Sequence, residues 1–416
     1  MNATPPPPSQ NALRMARNGL IVLTFINLFN YLDRYVVPSL FESLKHSELA
    51  PSDKQLGLTM TVFLIVYTLA APIFGRLGDK RDRPRLLAVG VLLWSIATTL
   101  AGFSRSVFQL LCARALVGVG EAAYGTVGPS LLADYYPRAS RGRAFTIFFI
   151  AIPVGSALGY MVGGLVDHAF GWRRAFFVAG VPGLLLAWLA LRLWDAPRGG
   201  HDEVSAGPAT RDLLRTLFEN RAYRLTVLGY AAYTFALGGV AAWMASFLSR
   251  VRGLPMASAT VRFGGIVVLT GLAGTWFGGR LADRLLARTR EAYLWMSGVA
   301  TLVAAPLFAI ALISPVPAVY WTAMILAQLL MFASTGPINA HIANVVGPDI
   351  RATAVAVSIF TIHALGDVPS PFLVGAISDA RSLALAVLIL PVAAGIGGLI
   401  WLWGALEKKG VEKQTV

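Results

Sequence analysis

The sequence predicts an all-α membrane protein with twelve transmembrane helices in two six-helix halves. Three observations carry this reading. Of the 416 residues, 56% are hydrophobic and only 13% are charged, a balance foreign to soluble globular chains. Apolar runs long enough to cross a bilayer recur along the whole chain. Three motifs of the first half return, in order, in the second. GRLGDKR at 75–81 returns as GRLADRL at 279–285, Gly128-Pro129 as Gly336-Pro337, and VGGLVD at 162–167 as VGAISD at 374–379. The offsets are 204, 208 and 212, so the halves repeat in parallel with small insertions.

The elements follow in chain order. Residues 1–17 form a polar N-terminus, expected to be disordered to about residue 13 because of the prolines at 5–8. Spans are expected at about 18–41, 55–78, 85–104, 106–135, 141–167 and 172–194. The second six lie at about 221–249, 257–282, 291–313, 316–346, 352–378 and 382–405. The N-terminal half is thus 18–194, the linker 195–220, the C-terminal half 221–405 and the tail 406–416. Within the linker, Thr210 to Glu219 is expected to form a short surface helix.

Basic residues set the orientation. Of 35 lysines and arginines, 24 lie in the termini, the central linker and the loops on that side, 9 lie in the opposite loops, and 2 (Arg34 and Arg114) lie in spans. The positive-inside rule then places both termini and the linker in the cytoplasm, in a multi-pass protein of the plasma (inner) membrane. The net charge of +14 is therefore loop charge, and no nucleic-acid partner is expected. Cys112 is the only cysteine, and the five histidines show no ligand spacing. Neither a disulfide within the chain nor a metal or other cofactor is expected.

Charges inside spans are the candidate functional residues. The run from Arg114 to Tyr136, RALVGVGEAAYGTVGPSLLADYY, carries Arg114 and Glu121. Seven residues make almost two helical turns, so both lie on one face, about 10 Å apart along the axis. A charge in mid-membrane costs roughly 2.5 kcal/mol or more, so such residues usually face a wet cavity or a partner. Asp33, in FINLFNYLDRYVVP, lies at a matching depth in the first span and is a candidate partner of Arg114. An acid that alternates between an arginine neighbour and an apolar surrounding takes up and releases a proton. Asp33 and Glu121 are accordingly the candidate proton-coupling groups. Arg114 is expected to pass between Asp33, Glu121 and an anionic head group, since an arginine fork suits phosphate or carboxylate. The competing reading is a static ion pair between the first and fourth spans. Arg34 lies about 100° around the helix from Asp33 and reaches a separate acid, contacts substrate or snorkels outward. Asn30 and Tyr31 complete the candidate substrate contacts.

Other polar positions invite plainer readings. Gly155, Gly159 and Gly163 are spaced by four and form a stripe for close packing. Gly118-Val-Gly120-Glu-Ala-Ala123 fits a dinucleotide fingerprint, but it follows no strand, so its glycines read as packing positions. His341, His363, Asp367, Asn339, Asn344 and Thr335 are expected mainly to hydrogen-bond within and between helices. Tyr230, Tyr233 and Trp243 either line an apolar half of a cavity or face lipid. No nucleophile elbow, Walker loop or metal signature appears, so an enzyme is not expected.

Two six-span halves, each with a G-x-L-x-D-[RK] loop after its second span, resemble the major facilitator superfamily. Gly75, Leu77, Asp79 and the basic run Lys80, Arg81, Arg83 and Arg85 carry the resemblance, and Gly279, Asp283 and Arg284 repeat it in shorter form. Pro84 stands near the position of the family's glycine. The resemblance implies a cytoplasmic gate at Gly75, Asp79, Arg83, Arg85, Gly279 and Asp283. There Asp79 would bind a neighbouring helix start and an arginine, and so hold an outward-open state. NYLDRY at 30–35, RALVGVGEAAYGTVGPSLLADYYP at 114–137 and FFIAIPVGSALGYMVGG at 148–164 are similar to the spinster family within it. That resemblance implies a monomeric, proton-linked secondary transporter of lysophospholipids or sphingosine-1-phosphate-like amphiphiles. The alternative on the same fold is a carrier of a small hydrophilic solute (a sugar or organic anion) or a drug exporter.

Overall fold

The computed structural model describes residues 10–198, 210–289, 291–347 and 350–414. Its N-terminal half comprises α1 (Gln10–Ser39), the short α2 (Phe41–Lys45), α3 (Asp53–Lys80), α4 (Arg83–Ala101), α5 (Val107–Tyr135), α6 (Arg138–Phe170) and α7 (Trp172–Leu191). A linker helix α8 (Thr210–Glu219) occupies the segment where one is expected. The C-terminal half comprises α9 (Arg221–Arg250), α10 (Met256–Leu286), α11 (Ala292–Ile313), α12 (Pro317–Asn344), α13 (Arg351–Ile362), α14 (Pro369–Ala380), α15 (Leu383–Ala386) and α16 (Ile389–Gln414). Among the described residues, twelve stretches are long and apolar enough to span a membrane, six in each half.

Local chemistry sets the helix starts. Ser52 and Gln55 form a capping box at α3. The side chains of Asp82, Ser106 and Asn220 accept the N–H groups of Arg85, Gln109 and Tyr223 and so cap α4, α5 and α9. Pro84 falls in the first turn of α4, where a missing N–H costs nothing. The eleventh span is interrupted by a π-turn over His363–Asp367, closed by the Val368 N–H on the His363 carbonyl at 3.1 Å.

Two expected boundaries move outward. The first helix starts at Gln10, inside the stretch expected to be disordered, because QNALRMARNGL consists largely of good helix formers. The last helix runs on to Gln414, through the segment expected to be a tail. Residues 1–9, with their prolines, lie outside the described residues.

Small residues set the closest approaches. A Cβ on Gly155 or Gly159 would lie 2.4 or 2.5 Å from the carbonyl oxygens of Leu28 and Leu32, so this stripe lets α6 close onto α1. Gly118 and Gly120 likewise meet the backbones of α3 and α4. Gly159→Leu is expected to force α1 off α6 and destabilise the fold by roughly 1–3 kcal/mol or more. Thermal unfolding of the purified variant would measure this, and an unchanged midpoint would contradict the packing role.

With twelve spans between them, the start of α1 and the end of α16 lie at one face of the bundle, here called the terminal face. The opposite, far face is sealed by bonds between the halves. Arg250 of α9 donates to Glu42 of α2 at 2.8 and 2.9 Å and to Asp53 of α3 at 2.5 and 2.9 Å. Asp379 of α14 accepts the N–H groups of Asp53 and Lys54, both at 2.9 Å, capping α3 from across the interface. Deeper in, Thr61 donates to the Val368 carbonyl at 2.5 Å, and Tyr160 donates to that of Ala241. Among the described residues, every hydrogen bond and ion pair between the halves lies in this far half of the bundle. The halves are thus bonded to each other at the far face.

Candidate functional site

The spans bring two acids and two arginines together between α1 and α5, below the far-face seal. Helical phase points Asp33 and Arg34 in different directions from α1, and each finds its own partner on α5. Arg34 Nε donates to Glu121 Oε2 at 2.6 Å, with the side chains 15% and 0% exposed. Arg114 Nη1 stands 3.8 Å from Asp33 Oδ1, with side chains 0% and 1% exposed. Of the three readings open for Arg34, the separate acid is the one this pair shows.

The two pairs differ in kind. The Arg34–Glu121 pair is hydrogen-bonded. At Arg114, none of the three guanidinium nitrogens has a hydrogen-bond partner, and the same holds for Asp33 Oδ1 and Glu121 Oε1. Asp33 Oδ2 is occupied, accepting from Thr98 of α4 at 2.7 Å. Aromatic faces surround both cations. Phe63 of α3 lies between them, its ring centroid 4.8 Å from the Arg114 guanidinium carbon and 5.1 Å from that of Arg34. Tyr31 and Tyr67 each lie 4.9 Å from Arg34. Asn30 is buried beside them, and its Nδ2 has no partner.

The site thus sums to no net charge, yet it holds a buried guanidinium with unused donors. Burying such a group without hydrogen bonds is costly, and charge-assisted bonds to an anion would relieve the cost. A neutral cluster with an unsatisfied arginine is chemically ready to accept an anion, provided that one of its acids is neutralised.

The C-terminal half contributes the π-turn. His363 Nδ1 lies 2.8 and 3.0 Å from the two Asp367 oxygens, forming the expected i,i+4 pair. The Tyr67 ring bridges to it across the interface, 6.4 Å from the His363 ring. Asn339 donates to the Tyr230 hydroxyl at 3.0 Å and to the Thr335 carbonyl at 2.8 Å, the helix hydrogen bonding expected of it. Tyr233 and Trp243 correct the sequence reading. Both are fully buried, neither facing lipid nor forming an apolar cavity wall. Tyr233 donates to the Met331 carbonyl and packs on Trp401, and Trp243 donates to the Pro371 carbonyl and packs on Phe41 at the seal.

The gate residues also depart from expectation. Asp79 is exposed and binds neither a helix start nor an arginine among the described residues. It is Asp82 that caps the next helix. Arg83 is 1% exposed and bonds to Asp134 of its own half at 2.5 Å and, at the start of the linker, to Asp195 at 2.7 Å and the Ala196 carbonyl. It clasps the ends of α4, α5 and α7 together and does not bridge the halves. Arg85 is exposed and lies 3.8 Å from Asp82, while Asp283 accepts from Tyr293 at 3.4 Å. Positions where Cβ atoms would stand on Gly75 and Gly279 have no neighbour within 4 Å. The physical reason is that Arg83, Arg85 and Asp283 find their partners close by in the chain, in the bundle of their own half or at the start of the linker, so these contacts do not join the loops of the two halves.

Two features escaped the sequence. Thr98 and Phe63 sit in apolar runs without a distinguishing pattern. The residues of the far-face seal looked like ordinary loop charges.

Twelve spans in two parallel six-span repeats around a central charge cluster define a membrane transporter of the major facilitator type. The model of the Major Facilitator Superfamily matches residues 23–371. Protein spinster homolog 3 of Danio rerio is 34% identical, over 99% of this chain and 90% of its own. The sphingosine-1-phosphate transporter SPNS2 of Xenopus tropicalis is 32% identical, over 93% of this chain and 80% of its own. The crystal structure of a bacterial homolog to the human lysosomal transporter spinster, inward-facing and unoccupied, superposes with a TM-score of 0.85 at 23% identity, covering 96% of this chain and 98% of that one. The chain belongs to the spinster family of the major facilitator superfamily, and it is a transporter and not an enzyme.

Proposed function

We propose that this transporter moves amphiphilic lipids with an anionic or zwitterionic head, of the lysophospholipid or sphingosine-1-phosphate type, by alternating access. Proton uptake at Asp33, with Glu121 as a second acid, balances the charge of the bound head. The observation that carries this reading is the buried Arg114 guanidinium, which has no hydrogen bond and only a 3.8 Å contact to Asp33. Two arginines and two acids sum to zero, so a bound monoanion adds one negative charge, and a proton on Asp33 restores neutrality. The terminal face, which carries 24 of the 35 basic residues, is the cytoplasmic one in this reading. The conformation described is then open inward. One chain supplies both halves and the complete site, so the protein acts as a monomer in the plasma membrane.

Arg114→Gln tests the head-group role. It is expected to weaken binding of a labelled lysophospholipid at least ~10-fold, the equivalent of about 1.4 kcal/mol for a lost charge-assisted bond. Equal binding by the variant and the unaltered protein would remove Arg114 from the substrate site.

A further inference from the structure

Outside the central site, the C-terminal half carries an apolar groove of about 450 Å³ between α10, α11 and α12. Gly274 and Gly278 make its floor, since their missing side chains let α10 close onto the α12 backbone at Leu329 and Ala333. Phe277 and Leu281 of α10 and Val299 and Val303 of α11 stand at its mouth, each about half exposed, and so open it to the lipid side. The groove follows α10 from Gly274 to Leu285, a rise of about 16 Å at ~1.5 Å per residue. That is close to half of a hydrocarbon core ~30 Å thick, the depth of a single leaflet.

The terminal-face end of the groove is basic. Arg284 is three residues on from Leu281 and seven from Phe277, so it lies on the same helix face, and Arg288 follows just past the helix end. Both are exposed, and neither has a carboxylate partner among the described residues. Arg280 lies over the Trp276 ring at 3.8 Å. These three arginines outnumber the two acids nearby, Asp283 and Glu291. Asp283 lies about 100° around the helix from Arg284, taking the Tyr293 hydroxyl.

We infer that this groove holds one acyl chain of an anionic phospholipid whose phosphate is gripped by Arg284 and Arg288. A groove one leaflet deep, apolar along its length and cationic at the head-group level, matches that ligand and no soluble one. The lipid joins α10 to α11 and α12, at a distance from the central arginines, so it is a bound component and not cargo.

Native mass spectrometry and thermal unfolding of the full chain, titrated with phosphatidylglycerol or phosphatidylcholine, test this. The unaltered protein is expected to retain one phosphatidylglycerol and to gain several degrees more from it than from phosphatidylcholine. R284Q/R288Q removes only exposed charges and is expected to lose both the retained lipid and the difference. Ala300→Trp, which fills the groove, is expected to do the same, and if it fails to fold the arginine variant decides alone. R143Q/R192Q, which removes exposed arginines of the other half, is expected to keep both. Retention and stabilisation unchanged in R284Q/R288Q would overturn the assignment, as would equal effects of the two lipids on the unaltered protein.

Discussion

Glu121→Gln is expected to lower transport by more than ~100-fold while leaving the protein folded. Glu121 is fully buried and takes a 2.6 Å bond from Arg34. Its loss leaves two arginines facing one acid, with Arg114 and Asp33 fully buried and Arg34 only 15% exposed. Breaking a buried pair from one side costs about 3–5 kcal/mol, because the remaining charge is stranded. About 3 kcal/mol corresponds to the 100-fold fall. Glutamine keeps the shape and an oxygen for Arg34, which limits the damage to folding. The double variant Arg34→Gln/Glu121→Gln separates two roles for the pair. It removes both charges, so stability is expected to return, but transport is not. Recovery of transport in the double variant would show that the pair merely fastens α1 to α5.

Arg250→Ala is expected to move the resting population toward a state open at the far face. Arg250 holds Glu42 and Asp53 of the other half, and Asp53 is only 2% exposed. In a state open at the far face this latch must already be broken, so its removal penalises only the conformation described here. A buried pair worth about 3 kcal/mol would change the ratio of the two states ~100-fold. Spin labels at Phe103 and Val316, exposed in far-face loops of the two halves, would report the separation, with Cys112 replaced by serine. A longer distance in Arg250→Ala supports the latch. An unchanged distance distribution would contradict the latch and leave the bonds of α14, from Ser378 to Asp53 and from the Asp53 and Lys54 N–H groups to Asp379, as what holds the face.

Much of this molecule can be read from its sequence. Apolar runs and a parallel repeat determine the bundle, because bilayer thickness and backbone hydrogen bonding leave few alternatives. The depth match between Asp33 and Arg114 is also legible, since rise per residue is fixed. Which acid Arg34 meets is not, because helical phase orients a residue on its own helix and says nothing about how α1 is rotated against α5. The contacts expected of Asp79 are not made in this conformation, for another reason. A loop motif shared by two conformations does not reveal which one the chain adopts, and here Asp79 is exposed at the terminal face. The latch at Arg250 was invisible because Glu42, Asp53 and Asp379 come from the ends of separate helices whose meeting depends on how the halves close. The glycine stripe of α6 was legible, because spacing by four can present only one face.

The most direct test of the central claim is lipid flux in proteoliposomes containing the purified protein, with and without an imposed pH gradient. A labelled lysophospholipid, a sphingosine-1-phosphate-like lipid and a sugar would be compared, with Asp33→Asn alongside. Lysolipid or sphingolipid flux is expected to follow the pH gradient and to disappear in Asp33→Asn. Sugar flux alone would contradict the lipid substrate. Lipid flux indifferent to both the gradient and Asp33 would leave the fold in place and contradict proton coupling through this site.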